Sequence, residues 1–153
     1  MQTAKNFAGY LLILACNNDE PDPLTHLRLQ KLLYYIQGWS LGLRGVPAFS
    51  EKIEAWAHGP VLPELYQQFK NFGNRLIPED VTCEFELKDD DRKFAAEIWE
   101  TYKDCSASKL RSMTHAEPPW KKVREGYGPE EKCEAEITVQ SMKEYFSKQA
   151  VET

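Results

Sequence analysis

The chain has 153 residues, a formal net charge of −5, 42% apolar and 28% charged side chains, and four Trp, seven Tyr and seven Phe. That length suits one domain able to bury a core without covalent or metal staples, and the aromatic content excludes a disordered segment. The acid excess argues against a nucleic-acid footprint, and no run approaches the ~20 apolar residues of a membrane span.

The first predicted helix runs from Thr3 to Cys16, where Phe7, Tyr10, Leu11 and Leu14 recur at helical spacing. Asn17, Asn18 and Asp19 end it, and Glu20-Pro21-Asp22-Pro23 reads as a stiff connector, since a residue before proline is pushed towards extended backbone. Thr25 is a good N-cap for a second helix, and Leu29, Leu32, Leu33, Ile36, Trp39 and Leu43 give the strongest helical periodicity in the chain, about five turns long. Gly45 and Pro47 stop it.

Lys52 to Ala57 alternates as a short strand does, and Gly59-Pro60 is expected to break it. Pro63 suits the first turn of a third helix with Leu62, Leu65, Tyr66, Phe69 and Phe72 on its apolar face, ended by Gly73-Asn74. Val81, Cys83, Phe85 and Leu87 alternate with polar residues, which predicts a second strand able to pair with the first. Asp89-Asp90-Asp91 suits the start of a fourth helix whose buried stripe is Phe94, Ala95, Ile98, Trp99 and Tyr102. These aspartates resemble a metal cluster in composition only.

Ser106 or Ser108 caps a short helix through Leu110 and Met113, and a turn around Glu117-Pro118-Pro119-Trp120 leads into another that ends near Gly126. Lys121, Lys122 and Arg124 form the only basic cluster, read as a solvated helix face. Tyr127 to Glu136 reads as loop, and Thr138 caps a last helix with Val139, Met142, Tyr145 and Phe146 inward. The four cysteines, Cys16, Cys83, Cys105 and Cys133, form no C-x-x-C pair. With no signal peptide in evidence, they suggest reduced thiols in a cytoplasmic protein.

Two stretches carry residues capable of chemistry. On the second helix, Gln30, Lys31, Tyr34, Tyr35, Gln37 and Trp39 crowd together, and Gln30, Tyr34 and Gln37 fall at i, i+4 and i+7 on one side. They fit a satisfied hydrogen-bond network that pins strand and turn to helix, or a recognition surface anchored by Tyr and Trp. On the extended segment, Glu54, Trp56 and His58 alternate and share a face. Glu54 and His58 fit either an acid–base pair or a turn fixed by backbone hydrogen bonds. His115 and Glu117, two apart beside Trp120, could join them across a cleft. There is no nucleophile elbow, phosphate-binding glycine loop or zinc spacing, so neither cofactor nor metal is expected.

The run Leu29-Gln30-Lys31-Leu32-Leu33-Tyr34-Tyr35 with Gln37-Gly38-Trp39 is followed by Ile53-Glu54-Ala55-Trp56, His58-Gly59-Pro60-Val61 and Tyr66. Together they closely resemble the Panacea antitoxin domain, a family that includes SocA-like antitoxins and phage-associated GepA-like proteins. Leu110, Thr114-His115 and Glu117-Pro118-Pro119-Trp120 are similar to its second motif, and the resemblance spans about residues 5 to 148.

It implies an antitoxin that neutralises a protein toxin by direct binding, in a family whose members pair with toxins of unrelated kinds. The matching positions, Gln30, Lys31, Tyr34, Tyr35, Gln37, Trp39, Glu54, Trp56, His58, His115, Glu117 and Trp120, are the binding candidates. Two other functions stay open: an adaptor that delivers the toxin to a protease, and an enzyme using Glu54, His58 and His115 to reverse a toxin's modification. No appended DNA-binding segment is recognisable. The expected fold is mainly α within an α+β domain covering residues 1–153, with six to seven helices and a small antiparallel β element.

Overall fold

A computed structural model describes residues 2–17, 24–72 and 86–152. The elements are α1 (Ala4–Cys16), α2 (His26–Trp39), a π-helical turn (Ser40–Arg44), β1 (Ile53–Trp56), β2 (Gly59–Val61) and α3 (Pro63–Phe69), which tightens into a 3₁₀ turn (Lys70–Phe72). They continue with α4 (Asp89–Tyr102), α5 (Ala107–Ala116), α6 (Pro118–Val123), β3 (Glu136–Ile137) and α7 (Val139–Glu152). The architecture is mainly helical, with one three-stranded antiparallel sheet in the order β2-β1-β3.

The helix starts follow the capping residues. Thr3, Thr25, Ser106 and Thr138 each accept a hydrogen bond from the backbone N–H three residues on, satisfying a donor the helix leaves open. Asp89, Asp90 and Asp91 occupy the first turn of α4, where negative charge suits the dipole, although the cap itself is Lys88. Asp91 reaches across to Arg44 at 2.9 Å. All five residues of the α4 stripe are buried.

α2 is the centre of the molecule. From Arg28 to Gly38 every residue is buried, on all sides of the helix, so burial extends well beyond the apolar stripe. α1, α3, α4, α5, α7 and the hairpin all pack around it. Arg28 is buried in this shell and donates to the Cys105 and Lys103 carbonyls beyond the end of α4, at 3.2 and 2.5 Å.

The predicted fifth turn of the second helix differs from expectation. After Trp39 the backbone widens into the π turn and stops at Gly45, whose φ of 75° is left-handed. The wider turn shifts the phase of the apolar stripe, and Leu43 is 59% exposed instead of buried. α7 lies directly on this turn. A β-carbon on Gly38 would overlap the Phe146 ring, and one on Gly42 would stand 2.7 Å from the Phe146 carbonyl carbon. The Phe146 ring has nowhere to go, because Tyr34, Tyr35, Trp39 and Tyr145 surround it with centroids 5.0–6.2 Å away.

Three strand and loop expectations are corrected. Gly59-Pro60 does not end the β structure but begins its return strand. Ala57 and His58 turn the chain, and Gly59 takes the positive φ of 128° that lets β2 pair back on β1. Pro60 fits because β2 is an edge strand. Glu136, assigned to loop, pairs with Glu54 as part of β3. Val139, expected inward, is 46% exposed, while Met142 and Phe146 are buried. The proposed strand at Val81, Cys83 and Phe85, the connector at residues 18–23, the Gly73-Asn74 stop and the Cys83 thiol lie outside the described residues. Among the described residues, Cys16, Cys105 and Cys133 are free thiols, and no helix is long and apolar enough to cross a membrane.

A Gly42→Ala substitution should therefore destabilise the protein by about 1–3 kcal/mol, although alanine is the better helix former. Urea unfolding of the two proteins side by side measures it; equal or greater stability for the alanine variant would contradict the packing.

Candidate functional site

The polar residues of α2 divide by direction, and each faces a different part of the fold. Gln37 points at the segment before β1. Its Oε1 accepts from the Ala48 and Phe49 N–H groups at 2.8 and 3.3 Å, and its Nε2 donates to the Phe49 carbonyl at 2.9 Å. Two turns earlier, Gln30 accepts from the Leu62 N–H at 2.8 Å, just after β2. The two amides thus hold both ends of the hairpin segment to one helix. Both are buried, so each of these backbone groups would be left without a partner if the amide were lost.

Tyr34 and Tyr35 reach a different partner and donate to the two oxygens of Glu117, at 3.0 and 2.9 Å. Glu117 stands where it does because of the two prolines after it. Pro118 and Pro119 begin α6 without needing backbone N–H partners, and the residue before them is held extended, at φ −91° and ψ 137°. The chain kinks there between α5 and α6, and the carboxylate turns back onto α2.

Burial pushes the Glu117 carboxyl up to about 7, against the opposing pull of the Tyr35 and Tyr34 hydroxyls. Burial and the neighbouring Glu117 drive the Tyr34 and Tyr35 hydroxyls well above the usual phenol range, so both act as donors. Tyr102 stacks on Tyr35 with centroids 4.2 Å apart and accepts the Trp39 indole N–H at 2.8 Å.

A second knot joins α6 to β1. Trp120 donates to the Trp56 carbonyl at 2.8 Å and stacks on His115 at 3.9 Å, nearly parallel at 7°. Arg124 is buried and donates to the carbonyls of Ala55, Gly128 and Glu131 at 3.1, 2.8 and 2.7 Å. It was assigned to a solvated basic face, and only Lys121 and Lys122 keep that place. The missed signal was its spacing: Arg124 sits one helical turn after Trp120, and its guanidinium lies 5.3 Å from that ring.

The suggested acid–base group does not assemble. Glu54 accepts from the Trp56 indole at 2.9 Å, and Trp56 packs edge-on against Tyr66. His58 occupies the exposed turn and does not continue the strand face. Glu117 is engaged by Tyr34 and Tyr35. His115 does meet the His58 segment: burial and then the charge of Arg111 lower its pKa, outweighing a hydrogen bond with the His58 backbone that raises it. Lys31 is buried beside the hairpin, and desolvation followed by the charge of Arg111 brings its pKa down to about 8. Among the described residues, no three His, Cys, Asp or Glu side chains converge as a metal ion would require.

Known proteins resemble the chain over this same core. A family model described as "Antitoxin SocA-like, Panacea domain" matches residues 29–121, which takes in α2, the hairpin and the turn at Glu117. Antitoxin SocA of Caulobacter vibrioides (strain NA1000 / CB15N) is 34% identical over 118 residues, covering 69% of this chain. The chain matches 63% of that relative's length, less than two thirds of it. No solved structure matches.

The buried carboxyl yields a pH prediction. Because the Glu117 pKa rises from 4.5 to about 7 on folding, its contribution to stability is complete below about pH 4.5. It is lost as pH climbs through about 7, with a total change on the order of 3 kcal/mol. Glu117→Gln cannot ionise, so its stability relative to the parent should improve steadily as pH rises across that window. Denaturation at several pH values tests this, and a constant difference would exclude the raised pKa.

Proposed function

The chain belongs to the SocA-like Panacea antitoxin family, and on that premise we propose that it is the antitoxin of a toxin–antitoxin pair, neutralising a cognate protein toxin by direct binding. The observation that carries this reading is the family match laid over the geometry of the motif. The matched side chains of α2 are engaged with backbone and with each other, and they lie inside the molecule. They build a rigid platform, which suits a protein that grips another polypeptide better than one that turns over a small molecule. The whole chain is read as one such domain.

The motif residues that reach the surface cluster at the hairpin. Trp56 and His58 line a concave patch with Ala57, Lys132, Cys133 and Glu134. A half-buried Trp with charged neighbours on its rim has the composition of a protein-contact site: an aromatic anchor inside and polar groups around it. Toxin contact is assigned to this patch, and the knot formed by Trp120, His115 and Arg124 holds it in shape from behind.

Co-expression with the product of a neighbouring toxin gene should restore growth, and the two proteins should co-purify. His58→Ala combined with Glu134→Arg alters two exposed side chains, so it should keep the parent's melting temperature. It should weaken co-purification by about tenfold or more. Persistent toxicity with the parent protein would reject the antitoxin reading. Full capture by the double variant would move the interface elsewhere.

A further inference from the structure

The concave patch at the hairpin is a small socket whose lining changes character from inside outward. Cys133 is buried, Trp56 and Ala57 are half-buried, and His58, Lys132 and Glu134 stand exposed at the rim. The inner wall is therefore an indole, a methyl group and a thiol, with no formal charge among them. The space they leave is about 170 Å³.

Bonds within the fold hold both walls. On one side the Trp56 indole N–H donates to Glu54 at 2.9 Å, its ring packs edge-on against Tyr66 with centroids 4.7 Å apart, and its carbonyl accepts from Trp120 at 2.8 Å. On the other side residues 132–134 are anchored at each flank. The Glu131 carbonyl accepts from Arg124 at 2.7 Å, and the Ala135 carbonyl accepts from the Ala55 N–H at 2.9 Å. The turn between β1 and β2 is tied to α5, where His115 hydrogen-bonds the His58 backbone. A socket already shaped spares its occupant the cost of ordering it.

Size and charge narrow the occupant. Pockets that enclose a whole drug-sized ligand run to roughly 300–1,000 Å³, so this one is too small for a peptide segment. It matches the ~150 Å³ apolar cavity known to take a single benzene ring. At the rim Lys132 and Glu134 pair with each other at 3.0 Å, and their charges cancel. A charged side chain entering the socket would lose water and meet no net countercharge, whereas an uncharged one complements a rim that is neutral as a whole. The Trp56 ring then favours an aromatic occupant over an aliphatic one, because aromatic pairs attract beyond the area they bury.

We infer that this socket takes one uncharged aromatic side chain, a phenylalanine or tyrosine ring, projecting from the partner polypeptide. The inference rests on the reading that this patch faces the toxin, and it adds what the toxin presents there. The ring packs against Trp56 between Ala57 and Cys133, and the Lys132–Glu134 pair closes over its edge.

The test needs no toxin. The full chain is titrated with the N-acetyl amides of phenylalanine, leucine and arginine, and NMR follows the Trp56 indole N–H and the Cys133 amide. The phenylalanine amide should shift both signals to saturation and bind about threefold or more tighter than the leucine amide. Ala57→Leu fills the socket and should abolish saturation. Should that variant not fold, NOE contacts between the probe ring and the Trp56 indole of the parent protein decide: their presence supports the socket and their absence rejects it. Shifts that never saturate, a leucine or arginine amide that binds as tightly, or a folded Ala57→Leu protein that binds as the parent does would overturn the inference. Co-purification separates it from the antitoxin reading. If a folded Ala57→Leu protein captures the toxin as well as the parent does, the socket is rejected and the antitoxin reading stands. If the parent captures no toxin, the antitoxin reading falls, and the three probes still decide what the socket accepts.

Discussion

Two buried glutamines hold this structure together in a way apolar packing could not. Gln30 and Gln37 lie two turns apart on one helix, and each closes a hydrogen bond to backbone at one end of the hairpin segment. Three strands of four, three and two residues are too short to be stable in water by themselves. They persist because their ends are fixed to α2 and their middle, the carbonyls of Ala55 and Trp56, is fixed to Arg124 and Trp120. Apolar contact supplies most of the driving force but is not directional; the amides choose one register out of many.

The double proline after Glu117 exerts a comparable control at long range. It costs the chain no hydrogen bond at a helix start, and it fixes the backbone of the residue before it. The carboxylate that results bridges to Tyr34 and Tyr35 across more than 80 positions of sequence. Those tyrosines also wall in Phe146, and Phe146 is what lets α7 settle on the backbone of the π turn. A local backbone restriction before α6 is thus linked, through the two tyrosines, to the packing of α7.

Most of the helical frame was legible in the sequence, because its signals are local. Capping residues, apolar spacing and the proline at a helix start located α1 to α7, and the α4 stripe was read residue by residue. What could not be read depends on partners distant in sequence. The two-residue strand β3 is defined only by β1, and Glu136-Ile137 carries no pattern of its own. The π turn lies where α7 packs closely on Gly38 and Gly42, a contact distant in sequence. The amides and phenols of α2 are legible as groups that need partners, since they fall in an apolar stripe. Their pairing was not readable: Glu117 was set beside the histidines, whereas it belongs to the tyrosines. The place of Arg124 is set by its spacing from Trp120 and by the carbonyls that hold it, not by its charge.

The same division bears on how a single fold could serve as an antitoxin against unlike partners. The recognisable motif is almost wholly internal, in amides, tyrosines and a carboxylate that hydrogen-bond within the fold, with Gln30 Nε2 alone among these groups left without a partner. Substituting any of them would disturb the platform before it disturbed a contact. The patch around His58, Lys132 and Glu134 has the opposite character: its side chains are exposed, make few bonds, and can be exchanged at little cost to the fold. Recognition placed there can vary freely while the framework stays fixed. A signature of this kind identifies the platform and does not specify a partner. On the proposed reading, partner choice lies in the chemistry of the rim, where a half-buried indole, a histidine and a Lys132–Glu134 pair at 3.0 Å present both charge signs around one aromatic anchor.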